Sequence, residues 1–380
     1  MEDHNEYIKK HWENQSDFEL AQNCGISMGA VEHRRRRLGI VRKQPVRSVL
    51  IDKDARKEKR EIRNTQKSYV EALDKLEELE HVNSAILRLK KAIEPFKIEP
   101  HHGTDTSEAV PVILASDWHV GERVDKKKVI ELNEFNLKVA EQRAKEFFQN
   151  IVKLCKKEAQ DVKIHNVVLA LLGDFITNNI HEELLENTYL RPIEETIFAM
   201  NLLISGIEFL LEQTDYEYTI PCLVGNHARI THKIHISNQT GNSLEYFMYH
   251  MMKNHFQNEQ RVKFIITEAD QMYLPVYGMN IRFLHGHAVK GSGNSGVLGM
   301  YPSVLRAIYQ WNETIRADLT CLGHFHQYTP ARNFVANGSL IGYSPFGLFN
   351  KYVYERPSQS FFLIDKKRGR TVSMPILFTV

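Results

Sequence analysis

The sequence predicts a layered α/β domain, preceded by a small all-α region and a long helix. Three observations predict it. From residue 110 onward, short apolar runs of strand length alternate with helical patterns. Across residues 46–94, apolar side chains recur at steps of three and four, the period of one helix face. Residues 1–45 carry two short helical patterns around a glycine.

Taken in order, the first region contains "DFELAQNCGISMGAVEHRRRRLGI". Phe18, Leu20 and Ala21 can form the apolar face of one helix, and Gly25 supplies a turn. Ser27 suits the N-cap of a second helix, which would carry Val31 inward and Arg34, Arg35, Arg36 and Arg37 outward. This pattern predicts a helix-turn-helix-like DNA-binding region over 1–45, whose second helix would enter a major groove. The plainer alternative is a helical bundle with a solvated basic face. Next, Tyr69, Leu73, Leu76, Leu79, Val82, Ile86, Leu89 and Ile93 form a stripe along one helix. Such a stripe must be covered, and a homodimer through residues 69–93 would cover it. Residues 95–109, with two prolines, a glycine and mostly polar neighbours, read as a linker to the domain at 110–380.

Composition narrows the class. Of 380 residues, 42% are hydrophobic and 25% charged, as in an ordinary soluble globular protein. The net charge is only +2, yet residues 31–60 hold twelve Lys or Arg against four Asp or Glu, so the basic charge lies near the N-terminus. Cys24, Cys155, Cys222 and Cys321 are scattered, which argues against a disulfide framework or a thiolate zinc site. The opening "MEDHNEYIKK" is too polar for a signal peptide, and no apolar run reaches the roughly 18 residues of a membrane span. The expected location is therefore the cytoplasm, with no membrane partner.

In the α/β region the predicted strands are "VPVILASD", "NVVLALLGD", "YTIPCLVGN", "VKFIITE", "MNIRFLHGH", "DLTCLGHFH", "SFFLIDKK" and "TVSMPILFTV", with helices predicted at 133–158 and 194–213. Most of the early runs end in a residue able to bind metal. Asp117 and His119 close the first, Asp174 the second, and Asn226 with His227 the third. His285 and His287 follow "IRFL", and His324 and His326 stand in "GHFH". Singly, each is weak evidence, because short motifs recur by chance and a lone histidine is usually a satisfied core residue. Together they are informative, since ligands of open α/β sheets gather beyond the carboxyl ends of the strands. The pattern predicts a metal held by side chains far apart in sequence.

The series D-x-H, GD, GNH, H and GHxH resembles the calcineurin-like metallophosphoesterases over about residues 110–380. "GNHAR", "LHGH", "GHFHQY", "NGSLIGY" and "ERPSQSFFLID" look most like a phage and prophage branch described as DNA repair exonucleases. Nucleases of the Mre11 and SbcD type are similar by motif. The resemblance implies a sandwich of two β-sheets flanked by helices, with two divalent metal ions, manganese first and iron, zinc or nickel as alternatives. It implies that Asp117, His119 and His326 bind one ion, Asn226, His285 and His324 the second, and that Asp174 bridges both. His227 would be the acid at the leaving group, with Asn226 and Asp174 also catalytic; Arg229 could bind phosphate, the alternative being an ordinary surface arginine. His287 has no ligand counterpart, so a structural duty is expected. The chain departs from the pattern at Thr177, where many relatives have an acidic residue that orients the acid histidine; Thr177 and Asn178 are the available substitutes. A bacterial or phage-infected host cytoplasm fits this branch.

The residue types suit that chemistry. Paired divalent ions about 3.5–4 Å apart supply an activated water and neutralise charge on phosphate oxygens, and imidazole, carboxylate and amide donors without thiolate suit such ions. The predicted function is a two-metal phosphodiesterase acting on nucleic acid, a DNA exo- or endonuclease. Two alternatives stay open: a small-molecule phosphatase or cyclic-nucleotide phosphodiesterase, and a DNA-binding regulator or packaging factor with the metal domain as scaffold.

Overall fold

The computed structural model describes residues 3–42, 46–91, 107–180, 182–289 and 296–379. The chain divides into two compact units, Met1–His101 and His102–Val380.

The first unit opens with α1 (His4–His11), α2 (Asp17–Cys24) and α3 (Met28–Arg37), which bury Ile8, Leu20, Ala21 and Val31 in a small core. Ser16 starts α2 through a capping box with Glu19, Gly25 ends it at φ 60°, and Ser27 caps α3, as the sequence predicts for the last two. Two predicted orientations change. Phe18 is 57% exposed, because it lies two residues, or about 200° of rotation, from Leu20 on the helix. Arg35 points inward rather than outward: it follows Val31 by one turn, is buried, and donates from Nη2 to Asp17 at 3.1 Å and from Nη1 to the Ile40 carbonyl at 2.8 Å. The long helix α4 spans Val46–Lys91. Tyr69, Leu73, Leu76, Leu79 and Val82 are exposed along it, while the side chains of Ile86 and Leu89, and Ile93, lie outside the described residues.

The second unit contains β1 (Ser107–Ala115), α5 (Leu137–Glu158), β2 (Val162–Lys163), β3 (Asn166–Leu171), α6 (Glu182–Glu186), α7 (Pro192–Gln213), β4 (Glu217–Cys222) and α8 (Leu244–His255). It continues with β5 (Val262–Ile266), β6 (Gln271–Val276), β7 (Met279–Leu284), α9 (Gly296–Asn312), β8 (Leu319–Leu322), β9 (Thr329–Pro330), β10 (Phe334–Ala336), α10 (Pro345–Phe349), β11 (Ser358–Asp365) and β12 (Gly369–Leu377). One sheet has the order β12-β11-β1-β3-β4-β5, with β2 also on β1, and the other β6-β7-β8-β10-β9. β1, β3, β4 and β5 run parallel, and β11 and β12 add antiparallel strands at one edge.

Burial assigns the layers. On β1, Val110, Val112 and Leu114 join Ile281, Phe283 and Cys321 between the sheets, whereas Ile113 and Ala115 join Phe147, Ile151 and Leu203 on the side of α5 and α7. The far face of the second sheet packs Leu284, Leu322 and Phe334 against Met300, Val304 and Ile308 of α9. The result is the predicted α/β sandwich of two sheets flanked by helices. With both faces of the central strands covered, their sequences read as continuous apolar runs.

Boundaries move at several places. β1 begins at Ser107, inside the predicted linker, because Ser107 and Glu108 pair with β2. The other predicted linker residues, 95–106, lie outside the described residues. α5 starts at Leu137, after its Asn136 cap, and α7 at Pro192, which suits a first helical position. β6 escaped prediction because Pro275 interrupts its pattern, a residue tolerated here on an edge strand. Among the described residues, no helix is long and apolar enough to cross a membrane.

Candidate metal centre

The ligand candidates sit on turns directly after β1, β3, β4, β7 and β8. Asp117, His119, Asp174, His324 and His326 all have left-handed backbones, with φ between 47° and 69°. Side chains rarely accept that conformation, and such strain concentrates where a side chain must be aimed. Trp118 explains the D-x-H spacing. Between the two ligands, its ring turns into the helix-side core, 5.1 Å from Phe175 and 5.9 Å from Phe147, and anchors the turn.

These turns bring the predicted ligands together. Ligand atoms of Asp117, His119 and His326 lie within 4.8 Å of one another, and so do those of Asp174, His285 and His324. Asp174 also groups with His119 and His227, so it stands between the two sets. Nε2 of His285 is 2.9 Å from Oδ2 of Asp174 and 3.1 Å from Oδ1 of Asn226. Nε2 of His326 is 3.3 Å from both Oδ1 of Asp117 and Nε2 of His119. Two glycines make this approach feasible. A Cβ on Gly225 would lie 2.0 Å from Asp174 Oδ1, and one on Gly323 would lie 2.6 Å from Asp117 Oδ2.

The donors fit divalent ions. Imidazole nitrogens of His119 and His326 face each other with room for at most one proton between them, while Nδ1 of His119 is buried without a partner. Burial, then the neighbouring His227 and His326, hold His119 well below the ordinary imidazole range, and burial does the same to His324. Neutral imidazoles keep the lone pair a metal needs. Burial pushes the Asp174 carboxyl up, but His285, His227 and His119 together pull it well below its ordinary value. A carboxylate surrounded by four imidazoles, with no thiolate nearby, is a nitrogen and oxygen donor set. In the sequence-implied arrangement, Asp117, His119 and His326 would hold one ion, Asn226, His285 and His324 the other, and Asp174 both.

His227 is oriented by backbone rather than by an acid at position 177. Its Nδ1 lies 2.8 Å from the backbone carbonyl of Thr177, and Asn178 Nδ2 donates to the carbonyls of His227 and Arg229 at 2.7 and 2.8 Å. Arg229 donates from Nη1 to the Asn226 carbonyl, bracing the ligand loop, and borders a cleft of about 600 Å³ with Asn178, Asn179, Arg191 and His232. His287 stands outside the ligand groups: its Nε2 meets Gln239 at 3.2 Å, and burial lowers it to about 4.

Sequence reasoning missed the residues that hold the ligands. Ser116 donates to Asp117 Oδ2 at 2.5 Å and accepts from Asn337 at 2.9 Å, while Gln359 Oε1 accepts from the Ser116 amide at 2.9 Å. Asn337 and Gln359 belong to the quoted "NGSL" and "PSQSFF" stretches, so their polarity inside apolar runs was the available signal. Glu245 of α8 accepts from the Phe175 and Gly225 amides at 2.7 and 2.8 Å, tying two ligand turns together. Glu195 of α7 accepts from the Asn178 amide at 2.7 Å, behind the loop that carries Thr177. Nothing in the sequence separates these two from ordinary first-turn helix acids.

No known family's sequence profile matches the chain, and no curated protein sequence does. Solved structures do. An archaeal phosphodiesterase shares 12% identity over 70% of this chain and 99% of that one, with a TM-score of 0.32. Vps29 of Chaetomium thermophilum shares 11% over 70% and 96%, at 0.27. YfkN of Bacillus subtilis, a calcineurin-like phosphoesterase, shares 10% over 71% and 90%, at 0.27. Scores of this size carry no argument about activity, and the functional reading rests on the side chains.

Proposed function

We propose that the chain is a two-metal phosphodiesterase that cleaves nucleic-acid phosphodiester bonds in DNA. One observation carries the hydrolase reading: all seven sequence-predicted ligands converge from five strand ends, with Asp174 between the two groups. When bound there, a pair of divalent ions supplies an activated water and positive charge facing the phosphate oxygens. The protein's own contribution is orientation and proton transfer. Nδ1–H of His227 donates to the Thr177 carbonyl, so Nε2 is the nitrogen turned to the ligand group, and the doubly protonated ring would give its Nε2 proton to the departing oxygen and remain neutral with Nδ1–H in place. Arg229 holds the Asn226 carbonyl and lies beside the cleft, where it can also meet a phosphate.

The polyanionic substrate is supported by the basic face of α3. Arg36 and Arg37 are exposed, Arg34 is half-buried with Nη1 on Asn5 at 3.3 Å, and Arg35 is reserved for the fold. Phosphate neutralisation dominates nucleic-acid affinity, which favours DNA as the partner. Manganese is the proposed ion. The exposed stripe of α4 would pair two chains, a proposal tested by the mass in solution of the Leu73→Glu variant against the parent.

The deciding assay compares plasmid, linear duplex and single-stranded DNA with bis- and mono-p-nitrophenyl phosphate, with and without manganese. Metal-dependent hydrolysis of the diester and of DNA is expected. Preference for the monoester would instead support the small-molecule phosphatase.

A further inference from the structure

The loop at 343–356 exposes rings next to the metal centre. Phe349 is 84% and Phe346 61% exposed on α10, and Tyr354 follows at 42%. Phe346 and Tyr354 are braced by neighbouring rings. Phe346 meets Tyr352 edge-on at 6.0 Å, Tyr343 meets Tyr354 at 5.7 Å, and the Tyr343 hydroxyl donates to the Tyr352 carbonyl at 3.2 Å. Rings held outward leave their faces in water, a cost that a monomeric surface normally avoids.

The loop is joined to the site. His326, Tyr343, Phe346 and Tyr352 line one small cavity, so the cluster abuts a proposed metal ligand. Gln327 Nε2 donates to the Val353 carbonyl at 3.2 Å, and the Tyr328 amide donates to Glu355 at 2.8 Å, pinning the loop to the turn that carries His326. Cations surround it. α10 packs against the turn Lys126–Val129, and Lys127, Lys351 and Arg356 are exposed without an ion pair among the described residues.

We infer that this loop is a stacking platform for single-stranded nucleic acid, with Phe346 and Phe349 receiving bases and Lys127, Lys351 and Arg356 the backbone phosphates. The inference rests on the phosphodiesterase reading above. Exposed rings interleaved with cations suit unpaired bases, because every base has a π-face while a duplex hides its faces in the stack. Continuity with His326 places the bound strand beside the bond to be cut.

The test uses the full chain with manganese and three substrates: a single-stranded oligonucleotide of about six nucleotides, the same sequence as duplex, and bis-p-nitrophenyl phosphate. Phe346→Ala/Phe349→Ala should raise the single-strand KM roughly tenfold per ring while leaving kcat and the small diester unchanged. Phe349→Tyr, which keeps a ring, should behave as the parent. An unchanged single-strand KM, or an equal rise for the duplex, overturns the platform. Absence of diester hydrolysis in the parent chain defeats the phosphodiesterase reading instead. Anisotropy of the labelled single strand then decides the platform alone: weaker binding by the double variant supports it and equal binding overturns it.

Discussion

The Nδ1 atom of His227 lies 2.8 Å from the main-chain oxygen of Thr177. The imidazole is therefore oriented by a carbonyl that any residue at 177 would provide, and Nε2 is left for the site. Replacing His227 with Ala should keep metal content and lower turnover on DNA about 10²–10⁴-fold, with a smaller loss on nitrophenyl esters, whose leaving group needs little protonation. Equal losses on both substrates would remove the acid role. Thr177→Val deletes only a buried hydroxyl without a partner, so stability should change by less than about 1 kcal/mol and activity should persist.

Asp174 between the two ligand groups predicts shared coordination. The purified chain should hold two ions by elemental analysis, and Asp174→Ala should lower activity by at least about 10²–10³-fold while reducing metal content. A single ion that survives the substitution would disprove the shared site. Gly225→Ala should mimic this loss from a neighbouring position, since its Cβ would collide with the same carboxylate.

Glu195 predicts a pH dependence of stability. Burial lifts its carboxyl from the ordinary 4.5 to about 7, against the pull of the Asn178 amide. Between these values the folded chain keeps a proton that the unfolded chain has lost, so this contribution is full below about 4.5 and disappears as pH climbs through about 7. Thermal midpoints of Glu195→Gln should therefore vary less than those of the parent between about pH 5 and pH 8. Parallel profiles for the two proteins would show that Glu195 does not titrate in this window.

In the N-terminal unit, neighbouring arginines should separate fold from DNA affinity. Arg35→Ala removes two partly buried hydrogen bonds and should destabilise the α1–α3 core by about 1–3 kcal/mol, read as faster amide exchange in α2 and α3. Arg36→Ala/Arg37→Ala should leave exchange unchanged and flatten the log–log salt dependence of DNA binding by about 0.9 per lost phosphate contact. An unaltered slope would assign the region to assembly rather than DNA.

The sequence by itself determined the α/β class and the body of α7, and it marked the strand-end residues that the fold brings together. Local pattern suffices there: strands covered on both faces must be apolar throughout, so Asp117, Asp174 and His285 stand out at their ends. Ser27 and Gly25 were equally legible, because capping is a contact within one turn. Only the tertiary structure decided what orients His227, since a backbone carbonyl leaves no mark in the residue alphabet. It also decided the burial of Arg35 and the tasks of Glu195 and Glu245. The Asp17 partner of Arg35, the Asn178 amide of Glu195 and the Phe175 amide of Glu245 lie 17 to 70 residues away, and local spacing carries no information about which distant group a side chain will meet.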